Sequence, residues 1–257
     1  MTATSAAAPA APHRHNVHLI LQGKGGVGKS VAAAFLAQFL GAPDKATCID
    51  TDPCNATFAA YQALDVQRVE IMQDDATINP RRFDEVIECI MAADRAAVID
   101  CGASAFVPLA HYLLTNDILA LLDELKRTLV LHVLVTGGPS ILDTLHGLSA
   151  LVKQFKAPCR FVVWLNPYHG DVKVDHKGFE ELKVFTDNRT RISALIKLPA
   201  LQPDTFGADL KAMLLARRTF DDAIADPKTG IVVRQRLKLI RQNIFAQLQA
   251  AAGAGIL

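Results

Sequence analysis

Val17-His18-Leu19-Ile20-Leu21-Gln22-Gly23-Lys24-Gly25-Gly26-Val27-Gly28-Lys29-Ser30 decides the fold of this chain. The run Val17 to Gln22 is mostly aliphatic and shows no regular polar alternation, which predicts a strand covered on both faces. It enters the glycines directly. Val31 to Leu40 follows, nearly all apolar and free of Gly and Pro, and predicts a buried helix whose N-terminus points back at the loop. Strand, glycine loop and helix in this order are the setting that phosphate binding requires. The glycines permit backbone angles that side chains forbid, so successive N–H groups converge on phosphate oxygens while the helix dipole adds positive charge. Within Gly23-Lys24-Gly25-Gly26-Val27-Gly28-Lys29-Ser30, Lys29 is placed to reach the β- and γ-phosphates of ATP. The Ser30 hydroxyl is placed to ligate Mg²⁺, a cation that takes oxygen ligands and keeps several waters. Lys24 is a second lysine at the front of the loop.

Two acidic segments follow. Asp50-Thr51-Asp52-Pro53 closes the apolar run Ala46 to Asp50, at the carboxyl end of a strand where open α/β sheets place their ligands. A spacing of two predicts that both carboxylates point the same way, Asp50 holding Mg²⁺ through water and Asp52 orienting the attacking water. An N-cap by Asp52 with Pro53 at the first helical position is compatible with those roles. Ala96-Ala97-Val98-Ile99-Asp100 is a short buried strand ending in an acid, the form of a Walker B element, and Cys101-Gly102-Ala103-Ser104 after it is suited to a switch segment.

The 257 residues are 51% hydrophobic and 21% charged, which fits a soluble globular protein. Further strand-like runs at Leu129 to Val135, Arg160 to Leu165 and Ile192 to Leu198, with helical stretches between, predict one α/β domain over 17–257. Residues 1–16, rich in Ala and Pro, read as a flexible tail. No run reaches the ~18 apolar residues of a spanning helix, so a cytoplasmic protein, or one peripheral at the inner membrane, is expected. The five cysteines lack C-x-x-C spacing and the eight histidines form no metal array, so buried thiols and no transition metal are expected.

Lys24 to Ser30, Asp50 to Pro53 and Asp100 together resemble the deviant Walker A ATPases, the ParA and MinD group. More narrowly, Leu21 to Ser30, Asp50 to Phe58, Gly102 to Leu109 and Val163 to Tyr168 resemble the TraL family of conjugal-transfer ATPase-like proteins of IncP-type plasmids. The resemblance implies a doubly wound, mostly parallel sheet with helices on both faces, and an ATP-dependent homodimer in which Lys24 of one copy reaches the phosphates of the other. Gly25 then has to be small for the two loops to approach. It also implies adenine recognition by Asn166 and packing near Pro199. Cys54 stands where partition ATPases usually carry Gln, and Cys101 where a proline-containing segment is commoner, so turnover is expected to be slow.

Ile231 to Ala250 predicts a helix with Val233, Leu237, Ile240, Ile244 and Leu248 near helical spacing and with Arg234, Arg236, Lys238 and Arg241 beside them. Three readings stay open for it: a terminal helix packed on the sheet, a membrane-surface anchor, or part of a DNA-binding face. The functional expectation is a Mg·ATP-dependent dimeric switch serving plasmid transfer, with conjugation or plasmid-positioning proteins as partners. The alternatives are a partition or positioning ATPase acting through DNA or membrane, an ATP-dependent synthetase or reductase, and a nucleotide-binding scaffold without turnover.

Overall fold

The computed structural model describes residues 15–73, 77–156 and 158–257. Residues 1–14 of the expected tail, with His13, lie outside the described residues, and the first strand already begins at His15. The strands are β1 (His15–Ile20), β2 (Ala46–Asp50), β3 (Gln67–Arg68), β4 (Ala96–Asp100), β5 (Arg127–Thr136), β6 (Cys159–Asn166), β7 (Lys173–Val174), β8 (Lys177–Gly178) and β9 (Ile192–Lys197). The α-helices are α1 (Lys29–Leu40), α2 (Arg82–Ala92), α3 (Phe106–Thr115), α4 (Ile118–Glu124), α5 (Ile141–Gln154), α6 (Lys183–Thr186), α7 (Ala208–Leu215), α8 (Phe220–Ala225) and α9 (Ile231–Gly253). Every apolar run expected to be a strand is one. The two-residue strands β3, β7 and β8 were not expected, because two residues carry no periodicity.

Seven strands form a single parallel sheet in the order β3-β2-β4-β1-β5-β6-β9, and β7 and β8 make a separate antiparallel hairpin. Side chains alternate across the pleat. Val17, Leu19, Ile99, Leu131 and Val163 therefore pack against helices α2 to α6 on one face. Ile20, Cys48, Val98, Val130 and Trp164 pack against α1 and α7 to α9 on the other. All ten residues of β5 are buried, as a central strand covered on both sides must be. The architecture is the doubly wound, parallel α/β sheet that the sequence predicted.

One polar chain crosses this core. The Trp164 indole N–H donates to His132 Nδ1 at 2.9 Å, and His132 Nε2 lies 3.0 Å from His18 Nδ1, all three residues fully buried. Trp can only donate, so the His132 proton sits on Nε2 and is donated to His18, whose own proton is left on Nε2. That last nitrogen has no hydrogen-bond partner among the described residues. Burial lowers the His18 pKa to about 3, and burial, then the neighbouring His18, holds His132 well below the ordinary imidazole value.

Helix α9 turns Leu237, Ile240, Ile244 and Leu248 into the core against α1, α8 and β9. Arg236 pairs with Asp209 and Arg241 with Asp221. The stripe Leu237, Ile240, Ile244 and Leu248 is thus spent on the core, as the packed reading of this helix expects. No single helix among the described residues is long and apolar enough to cross a membrane.

Candidate nucleotide-binding site

The strand register gathers the predicted residues at one edge of the sheet. Asp100 pairs with Ile20 on one side and with Asp50 on the other, and Thr136 pairs with Asn166. These residues close β4, β1, β2, β5 and β6, so the loop 21–28 leaves β1 with two acidic strand ends on one flank and Asn166 on the other.

The loop is held from below. Gln22, 1% exposed, donates from Nε2 to the Leu134 and Thr144 carbonyls at 2.8 and 3.1 Å, and its Oε1 accepts from the Gly23 amide at 2.9 Å. Sequence reading placed Gln22 only at the end of an apolar run, although a lone amide in such a run is the trace of a buried polar anchor. Gly26 and Gly28 take φ of 74° and 97°, left-handed angles that disfavour any side chain. A Cβ on Gly28 would also stand 3.0 Å from Asn166 Nδ2. Gly28 precedes α1 and the helix start has no side-chain cap, so its first-turn amides remain free toward the loop. Gly25 faces open space.

Val27 is buried under the loop, and its carbonyl accepts from Asn166 Nδ2 at 2.9 Å. Asn166 Oδ1 accepts from the Tyr168 amide at 3.1 Å. The side chain expected to read adenine therefore fastens the loop to the end of β6. Pro199 lies two residues beyond β9, half-buried.

Lys29, 7% exposed, folds its ammonium back onto the Lys24 carbonyl at 3.1 Å. Burial lowers its pKa, and Asp100, Asp52 and Cys101 oppose that shift. The Lys24 ammonium, 43% exposed, pairs instead with Asp143 Oδ2 on the first turn of α5 at 2.9 Å.

The three carboxylates differ in their surroundings. Asp50 is fully buried and accepts from the Asp52 amide (2.9 Å) and the Ala59 amide (2.8 Å), one on each oxygen; burial nevertheless raises its pKa. Asp52 Oδ1 accepts from the Cys54 and Asn55 amides at 2.9 and 3.1 Å, capping a turn rather than the helix the sequence allowed. β2 ends at Asp50, so pleat alternation does not extend to Asp52, although the two carboxylates remain close enough for the charge of Asp52 to add to the upward shift of Asp50. Asp52 packs instead on Gly102, where a Cβ would meet its Oδ1 at 2.7 Å.

Asp100 is 1% exposed, and neither of its oxygens has a hydrogen-bond partner of good geometry. Burial pushes its pKa up to about 7; the nearby Ser30 hydroxyl opposes this, Asp50 adds to it, and Lys29 opposes it. A buried acid with both oxygens free, among two further acids and one lysine, is a site short of positive charge. Mg²⁺ fits it: the cation would be held by the Ser30 hydroxyl and, through its waters, by Asp100 and the remaining lone pairs of Asp50. Among the described residues no group of three or more His, Cys, Asp or Glu is placed to hold a metal directly, and a largely hydrated Mg²⁺ does not require one. Thr51, not singled out in the sequence, braces this floor by donating to the Asp100 carbonyl at 3.1 Å.

No protein-family model matches the chain. Two Escherichia coli proteins, each named TraL, are 52% and 50% identical to it over 237 residues, 92% of this chain and 98% of each relative. Among solved structures, a candidate plasmid partition protein from Borrelia burgdorferi B31 bound to AMPPNP has a TM-score of 0.50 at 15% identity, covering 92% of this chain and 99% of that one. MinD from Aquifex aeolicus has a TM-score of 0.47 at 15% identity over 88% and 97%. The likeness to the Borrelia protein shows the fold alone, a parallel α/β sheet with helices on both faces. Identity above one half over nearly the full length of both Escherichia coli proteins shows more than fold: this chain belongs to the TraL family.

Proposed function

We propose that the protein is a Mg·ATP-binding, slowly hydrolysing ATPase that dimerises over its nucleotide and serves plasmid conjugative transfer. The observation that carries this reading is Asp100, buried beside the phosphate loop with the Ser30 hydroxyl and Lys29 near it and no hydrogen bond of good geometry on either carboxylate oxygen. Such a group is costly in an empty fold and becomes favourable once a cation faces it. The free first-turn amides of α1 and the loop backbone cradle the phosphates, and Lys29 exchanges the Lys24 carbonyl for phosphate oxygens. Bound Mg²⁺ supplies charge neutralisation at the β- and γ-phosphates. Asp52, held against Gly102 beside Asp100, positions the attacking water.

The AMPPNP of the Borrelia protein supports ATP as the ligand, and the shared name of the two relatives supports a role in transfer. Lys24 is the residue that completes the partner's site. Its pair with Asp143 is half-exposed and worth at most about 1 kcal/mol, so it yields readily to a triphosphate. Equilibrium ATP binding with and without Mg²⁺, in wild type and Lys29→Ala, tests the site, and light scattering on a sizing column with ATP and with ADP tests the dimer. Ordinary ATP affinity in Lys29→Ala removes the assignment.

A further inference from the structure

Tyr168 is 71% exposed, in a protein whose other aromatic side chains lie largely in its core. It sits in the turn Pro167–His169 directly after Asn166, the residue whose amide fastens the phosphate loop at Val27. The turn is rigid. Asn166 Oδ1 accepts the Tyr168 amide at 3.1 Å, the Gly170 amide donates to the Pro167 carbonyl at 3.0 Å, and the Gly137 amide donates to the Asn166 carbonyl at 3.2 Å. Gly137 and Gly138 press so closely on this segment that a Cβ on either would lie about 2 Å from the Gly170 or His169 carbonyl oxygen. The His169 ring stands at 85° to the Tyr168 ring, 4.9 Å between centroids. A ring presented by so fixed a backbone loses little further freedom on meeting a ligand.

The sheet order says which ligand. Asp100 and Asp50, the metal and γ-phosphate end of the site, close β4 and β2 on one flank of the loop. A nucleotide whose phosphates lie along the loop must then carry its base to the opposite flank, over the ends of β5 and β6, where Tyr168 stands. We infer that the Tyr168 ring is the stacking surface for the nucleobase of the bound nucleotide, and so a determinant of nucleotide affinity. This rests on the nucleotide site proposed above. An aromatic face holds a purine by dispersion and quadrupole contact without needing a hydrogen bond from the phenol.

Competition binding on the full chain, in the presence of Mg²⁺, compares ATP with inorganic tripolyphosphate, which has no base. Stacking is expected to make Tyr168→Ala bind ATP about 5- to 150-fold more weakly. The same variant keeps its tripolyphosphate affinity, and Tyr168→Phe keeps that for ATP. In Tyr168→Trp the new indole is quenched by ATP and unaffected by tripolyphosphate, against the constant background of buried Trp164. Wild-type ATP affinity in Tyr168→Ala, equal loss in Tyr168→Phe, or equal loss for ATP and tripolyphosphate overturns the stacking role and leaves the nucleotide site standing. Failure of wild type to bind either ligand overturns both.

Discussion

Acidification is the perturbation that the buried His18, His132 and Trp164 chain makes quantitative. In the folded protein both imidazoles stay neutral, His18 with a pKa of about 3 and His132 well below the ordinary value, because burial disfavours their charged forms. In the unfolded chain each takes a proton near pH 6.5. A depressed folded pKa gives stability that is present above the unfolded value and lost as pH falls below it. Between pH 6 and pH 4 the unfolded state therefore holds up to two more protons, a slope approaching ~2.7 kcal/mol per pH unit. Integrated from pH 7.5 to 5.0 the loss is about 4 kcal/mol, a large part of the 5–15 kcal/mol typical of a domain. Asp100 acts in the opposite sense: its raised pKa gives stability below the ordinary carboxyl range that is lost as pH rises through about 7. The assay must cancel it. Urea unfolding of wild type and of His18→Gln/His132→Gln, which keeps hydrogen-bonding groups and does not titrate, is measured at half-unit steps from pH 8 to 5. Whatever the offset between the two proteins, their difference in unfolding free energy is expected to shift against wild type by about 4 kcal/mol across that range. A difference independent of pH would falsify the neutral-imidazole chain.

Asp100→Asn removes a buried unpaired charge, so in the absence of nucleotide and metal it is expected to melt above wild type at pH 8, by an amount equivalent to roughly 2–4 kcal/mol that shrinks towards pH 4; coincident melting curves over that range count against the raised pKa. The same variant should lose the Mg²⁺ dependence of ATP binding. Asp52→Ala is expected to retain ATP affinity and cut turnover by ~100-fold or more, leaving ATP-loaded dimers on a sizing column; undiminished phosphate release removes Asp52 from its role. Gly25→Val, at a position with open space around it, and Lys24→Ala should fold and bind ATP as monomers yet fail to dimerise with it. An ATP-dependent dimer surviving both changes contradicts the cross-subunit placement of Lys24.

Much of this protein was legible along the chain because the forces concerned are local. The mainly apolar runs at β1, β4 and β5 declared strands, and the glycine spacing from Gly23 to Gly28 declared a loop that opens a helix, since left-handed angles at Gly26 and Gly28 are properties of single residues. The acids Asp50 and Asp100 were found for the same reason, each ending an apolar run. What the chain alone left open depends on groups far apart in sequence. That Asp100 has no hydrogen bond of good geometry while Asp50 has two, that Asn166 is tied to Val27 across 139 residues, that Lys24 rests on Asp143, and that His18 meets His132 and Trp164 are consequences of strand order and register. A side chain's type says which bonds it is able to make. Only the packed sheet decides which partner arrives, and how much water is left to compete with it.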